Sequence, residues 1–154
     1  MKNDTKVEQK SEREVVITRT FNAAARLVFE AWTKPELMRR WWVPKSSGLK
    51  LLSCEMDVRT GGTYRFVFEN PAGGEPMAFF GRYVEVSPHS RLVWTNDEGG
   101  DAGQLSTVTL EDHGGTTRMV LHEVYPSAEA LAAGLGSYDG MPESFAQLDE
   151  LLAG

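Results

Sequence analysis

One cysteine, three histidines and no apolar run near membrane-spanning length set the first limits on this chain. The lone Cys54 cannot close an internal disulfide, and the opening MKNDTKVEQKSERE lacks the apolar core of a signal peptide, so a reducing cytoplasm is the expected compartment. A spanning helix needs roughly 20 consecutive apolar residues, so no integral membrane contact is expected. With 22 acidic against 16 basic residues, the net charge of −6 repels polyanions, which argues against nucleic acid as a partner. His89, His113 and His122 lie far apart in sequence and no helical pair of histidines occurs at a spacing of four, so no metal site is expected. The Gly-x-Ser-x-Gly elbow and the dinucleotide glycine spacing are both missing. No cofactor is therefore expected, and no catalytic residue is assigned.

What the chain does have is tryptophan in one place. FEAWTKPELMRRWW, residues 29 to 42, holds three of the four tryptophans. Leu27 with Ala31 and Val28 with Trp32 stand four apart before Pro35, and Leu37 with Trp41 and Met38 with Trp42 do so after it. This spacing predicts two short helices with bulky apolar stripes, broken at Pro35. Asn22 is positioned to cap the first, and Thr33 with Glu36 to cap the second.

At 154 residues with 41% hydrophobic residues, the chain suits a single domain with its own core. Residues 1–13 are polar and read as a flexible tail, and the domain is expected over 14–154. Val15, Ile17, Arg19 and Phe21 alternate with Val16, Thr18 and Thr20 in a first strand. From Leu49, repeated Gly, Pro, Asn and Asp turns separate six further strands, an antiparallel meander. Period two places Leu52, Cys54, Met56 and Val58 on one face of their strand and Tyr64, Phe66 and Phe68 on one face of the next. Phe79 and Phe80 fall on opposite faces, leaving their strand's inner face open. The same alternation turns Arg65 to solvent and sets Glu123 at the edge of the row Met119, Leu121.

Ser127 and Glu129 open a short helix ending at Gly134 or Gly136. Met141, Phe145, Leu148, Leu151 and Leu152 form the apolar stripe of a terminal helix, with Gln147 assigned to its polar side. Such a helix, roughly 18 Å long, is too short to cover a seven-stranded sheet alone, so the tryptophan-rich pair must close one end. The expected fold class is α+β, with about seven curved antiparallel strands around a C-terminal helix in the order β-α-α-β6-α. A cavity between sheet and helix follows if side chains do not fill the space.

The aromatic rows Trp41, Tyr64, Phe66, Phe68, Phe79, Trp94 and Phe145 form the candidate wall, each of them also an ordinary core residue when taken singly. Met56 and Met141 complete the apolar part, with Glu123 and Tyr138 as groups that orient a ligand. A buried Glu123 needs a partner, and an arginine is the structural solution expected for it. On this reading Trp41→Ala alters binding more than folding.

The strings FNAAARLVFEAWTKPELMRRWW, CEMDVRTGGTYRFVF, FFGRYVEVSPHSRLVW and HEVYPS, in that order, resemble the START-like superfamily, also called SRPBCC or birch-pollen-allergen-like. Within it they resemble the group named after the activator of a heat-shock chaperone ATPase, over about Val15 to Leu152. The resemblance implies a helix-grip fold enclosing an elongated apolar cavity. It also implies a small hydrophobic molecule, such as a lipid, polyketide or aromatic metabolite, as partner. Its alternatives are a cyclase or hydrolase acting on a bound substrate, with Glu123 or a tyrosine moving a proton, and a chaperone-regulating module. A homodimer is left open. Members often begin the last helix with Gly-Trp, where this chain has Gly140–Met141, a more adaptable side chain.

Overall fold

A computed structural model of the chain describes residues 5–70, 73–97 and 104–153. The elements run β1 (Lys6–Ser11), β2 (Glu14–Phe21), α1 (Ala25–Thr33), α2 (Pro35–Trp41), β3 (Leu51–Met56), β4 (Thr63–Phe68), β5 (Met77–Ser87), β6 (Arg91–Asn96), β7 (Gln104–Asp112), β8 (Thr117–Val124), α3 (Ala128–Gly134) and α4 (Met141–Ala153). A 3-10 segment, Leu135–Gly140, joins α3 to α4. All strand pairs are antiparallel, in the order β1-β2-β8-β7-β6-β5-β4-β3. β3 to β8 are thus the expected meander, and β8 returns to pair with β2.

The sheet has eight strands because Lys6–Ser11, read from sequence as part of a flexible tail, pairs with β2. Its Lys and Glu side chains face water from a sheet edge, where charge on both faces suits a strand with one unpaired side. Apolar periodicity cannot signal such a strand. Residues 1–4 of that tail lie outside the described residues.

Register shifts interrupt β3 between Leu51 and Ser53 and β5 between Tyr83 and Glu85, and such bulges bend a sheet. The β3 bulge also corrects the face assignment. Leu51 opposes inward Phe68 while Leu52 is 48% exposed, whereas Cys54 and Met56 oppose inward Phe66 and Tyr64. On β5, Phe79 opposes Phe66 and Phe80 opposes solvent-facing Arg65, which settles the inner face in favour of Phe79.

Both helices of the tryptophan pair form, but their caps come from elsewhere. The amide of Ala25 donates to the Asp112 carboxylate at 2.9 Å, so the end of β7 caps α1 in place of Asn22. That carboxylate also accepts from the Gly114 and Gly115 amides, and the three backbone N–H donors hold its pKa below the ordinary range. Thr33 does not cap α2; its hydroxyl donates to the Phe29 carbonyl at 2.8 Å, and Lys34 stands at the cap position. Ser127 caps α3 as expected, accepting from the Ala130 amide.

The core lies between the concave sheet face and α1, α2 and α4. Gln147, assigned to the polar side of α4, is buried and faces α2. Its amide N–H groups donate to the carbonyls of Trp41 and Val43, its oxygen accepts from Lys45 N–H, and Ser144 donates to the Trp42 carbonyl. The free carbonyl end of α2 is thereby satisfied by side chains of α4. Among the described residues no helix is long and apolar enough to cross a membrane.

Candidate functional site

Between the sheet and the helices lies a cavity of about 630 Å³. The inner rows of β4, β5 and β6 supply Tyr64, Phe66, Phe68, Phe79, Tyr83 and Trp94 to its wall, and α1 and α2 supply Trp32, Met38 and Trp41. Met141, Ser144 and Phe145 close it from α4. Phe79, Pro126 and Ala133 line the cavity while staying exposed, which marks its mouth beside α3 and the start of β5.

The aromatic rings order one another. Trp32 meets Trp41 edge to face at 4.9 Å and Trp94 at 5.6 Å, Trp41 stacks on Phe145 at 6.0 Å, and Phe79 meets Phe68 at 5.3 Å. Contacts of this kind add to area burial and hold the wall in one shape. Trp41 is fully buried, and its indole donates to the Ala31 carbonyl at 3.0 Å. Trp41 is therefore core and wall together, so Trp41→Ala would damage the fold as well as the cavity, contrary to the expectation from sequence.

Of the candidate site residues, the structure brings Trp41, Tyr64, Phe66, Phe68, Phe79, Trp94, Glu123, Met141 and Phe145 to the cavity. Met56 is not among its lining and borders a separate depression with Glu55 and Arg65 instead. Tyr138 is also absent from the lining; it stands behind Glu123, to which its hydroxyl donates at 3.3 Å.

Glu123 is buried on the inner face of β8 without an arginine. Ser106 and Gln104 from β7 donate to one of its oxygens and Tyr138 to the other. Burial raises its pKa, and the three donors and nearby His122 offset this only in part. The buried arginine is Arg19, which reaches Asp149 on α4 and stacks over Phe21 at 5.6 Å. The arginine partner expected for Glu123 from sequence thus belongs instead to a pair with Asp149 at the other end of the β2–β8 ladder, where Arg19 opposes Met119 and Val15 opposes Glu123.

The network continues along the wall. The Asn96 amide donates to the Ser106 hydroxyl at 3.1 Å, and the Tyr64 hydroxyl reaches the Thr95 carbonyl at 2.7 Å with the Asn96 side-chain oxygen 3.1 Å away. Tyr125 and Tyr138 share a hydrogen bond, and burial raises both phenol pKa values. A polar seam therefore crosses β4, β6, β7 and β8 in an otherwise apolar wall. Asn96, Gln104, Ser106 and Tyr125 were missed in the sequence. Ser106 carried a signal, a small polar residue in register with inward Val108 and Leu110; Asn96 ends β6 and Gln104 begins β7, and they carried none.

This geometry defines the class: a curved antiparallel sheet gripping a C-terminal helix around an internal cavity, a fold consistent with a ligand-binding domain. The model of the family described as Activator of Hsp90 ATPase homolog 1-like protein matches residues 22–153, and the chain belongs to that family within the START-like superfamily. A crystal structure of a Rhodobacter sphaeroides protein superposes with a TM-score of 0.85 at 25% identity, covering 97% of this chain and 98% of that one. A Mycobacterium smegmatis protein superposes at 0.81, also at 25% identity, covering 97% and 98%. The solution structure of an AHSA1-like protein from Aeromonas hydrophila, at 18% identity, shares the fold with a TM-score of 0.71 over 88% of this chain and 93% of that one. No curated protein matches the chain in sequence.

Proposed function

We propose that this protein binds one small apolar or amphipathic molecule in the cavity, held by shape and aromatic contact and oriented by the seam around Glu123. The observation that carries this reading is the cavity itself: about 630 Å³ lies within the roughly 300–1,000 Å³ usual for small-molecule sites, and a few convergent polar groups interrupt its apolar lining. Phe79 offers a direct test, because it lines the cavity yet is 41% exposed, so its removal costs the fold little. Native mass spectrometry of host-purified protein should show a bound small molecule. Nile red should titrate to one site per chain, and Phe79→Ala should weaken that binding several-fold. Unsaturable or absent binding of Nile red, with no retained molecule, would overturn the reading.

A second reading, proton transfer to a bound substrate, is favoured by the raised pKa of Glu123 at the cavity wall. In it Glu123 gives its proton to the bound substrate and takes one back from the substrate or from water before the next turnover. Loss of turnover of a host-extracted ligand in Glu123→Gln, with ligand affinity kept, would support it; unchanged turnover would dismiss it.

A further inference from the structure

The polar groups of the cavity are gathered at one end. Asn96 continues the inward row of Leu92 and Trp94 on β6, Gln104 continues that of Val108 and Ser106 on β7, and the two residues pair in register. Both side chains turn to the concave face: the Asn96 amide donates to Ser106 at 3.1 Å and the Gln104 amide to Glu123 at 3.4 Å. Both line the cavity and are half-buried, whereas Ser106 is 1% exposed. Just past the end of β8, Tyr125 and the exposed Pro126 also line the cavity, so the polar end is the mouth end. The opposite end is apolar. Phe145 packs on Phe21, which pairs with Thr117 at the far end of β8 from Glu123, and Trp41 stacks on Phe145.

The lining also limits the charge that this mouth accepts. No lysine, arginine or histidine is among the described residues that line the cavity, and its one carboxyl is Glu123. An anionic head would meet a carboxyl and no counter-charge, and burying an unpaired anion costs far more than its hydrogen bonds return. An ammonium would gain little, because Glu123 already accepts from Ser106, Gln104 and Tyr138 and burial favours its neutral form. The primary amides of Asn96 and Gln104 each carry donors and an acceptor, which suits a neutral head that does both.

From this arrangement we infer that the ligand is an amphiphile with an uncharged head of the alcohol or carboxamide class, which lies at the mouth against Asn96 and Gln104 while its apolar body runs inward to Trp41 and Phe145. The inference rests on the small-molecule reading above and adds the polarity and direction of its occupant. Asn96 and Gln104 are then the specificity residues for the head, and the aromatic rings select the body.

Decanamide, decanoate and decylamine share one chain length and differ in head charge. In competition against Nile red bound to the full chain at neutral pH, decanamide should displace the dye at concentrations at least about tenfold below those needed of the other two. Asn96→Leu should weaken decanamide about 3- to 10-fold, the range of one net neutral hydrogen bond. The affinity of the variant for Nile red, measured separately, is the control for an intact cavity. In the unaltered protein, intermolecular NOEs should link the terminal methyl of decanamide to the Trp41 or Phe145 ring and its C2 methylene to the Asn96 or Gln104 side-chain amide. These keep the test valid if the variant folds poorly. Dye displacement by decanoate or decylamine as efficient as by decanamide, no displacement by decanamide, unchanged decanamide affinity in Asn96→Leu, or NOEs in the reverse order would overturn this inference alone. Failure of Nile red itself to bind would count against the cavity reading and, with it, this one.

Discussion

Gly81 admits no side chain. A Cβ there would overlap the Thr95 carbonyl and stand 2.9 Å from Tyr64 Cε2, at the point where the Tyr64 hydroxyl crosses to Thr95. Gly81→Ala should cost about 2–3 kcal/mol in urea unfolding and weaken cavity binding, because strand and ring must both shift. A loss below about 0.5 kcal/mol would show that β5 yields freely. Glu123 gives a prediction in pH. Its folded pKa lies above the unfolded value, so the folded chain keeps a proton that the unfolded chain has released. This group therefore favours folding fully below the ordinary glutamate range, and that contribution is lost as pH rises through the raised value. Glu123→Gln, which cannot ionise, should gain stability relative to the parent across that window and level off above it. A difference in urea midpoint that stays constant with pH would mean that the carboxyl ionises freely when folded. The sequence placed Glu123 inward through period two, but its partners lie on β7 and in the 3-10 segment, too far along the chain for any local pattern to name.

At the scale of elements, the joint between α2 and α4 rests on side-chain amides and hydroxyls more than on apolar contact alone. Gln147 uses both amide hydrogens and its oxygen on the Trp41–Lys45 segment. Gln147→Ala leaves the Trp41 carbonyl buried without a donor, and should cost about 2–3 kcal/mol in urea unfolding. Ser144→Ala, which removes one bond to Trp42, should cost nearer 1 kcal/mol by the same measurement. Equal small losses would place the strength of the joint in Phe145 and Leu148 instead. Helical periodicity found both helices and their apolar faces, because that signal is local. It mis-sided Gln147 because a polar side chain counts as solvent-facing until the carbonyls it serves are known. The bulge in β3 misled for a related reason: one inserted residue reverses every face before it, and nothing in Leu51–Leu52–Ser53 announces the insertion.

For the whole molecule, Arg19 and Asp149 tie the second strand to the terminal helix across the core. Arg19 is 6% exposed while the Asp149 side chain keeps 31%, so the two halves of the pair are not equivalent. Asp149→Asn leaves a buried guanidinium poorly compensated and should cost about 2 kcal/mol, below the value for a fully buried pair because water reaches one side. Arg19→Met should cost under about 1 kcal/mol, since it removes the charge together with its need for a partner. Thermal unfolding of both variants would check the order, and the reverse order would refute it. The sequence by itself determined the class of fold, the tryptophan wedge, the meander and most of the aromatic wall, because strand alternation, helix spacing and turn residues are written within a few positions of one another. It could not determine that the wall stops short of a filled core. The cavity, the polar seam across four strands and the removal of Met56 and Tyr138 from the lining depend on how far a curved sheet stands from the helix it grips. That distance is set by bulges and long-range pairings, and only the tertiary structure contains it.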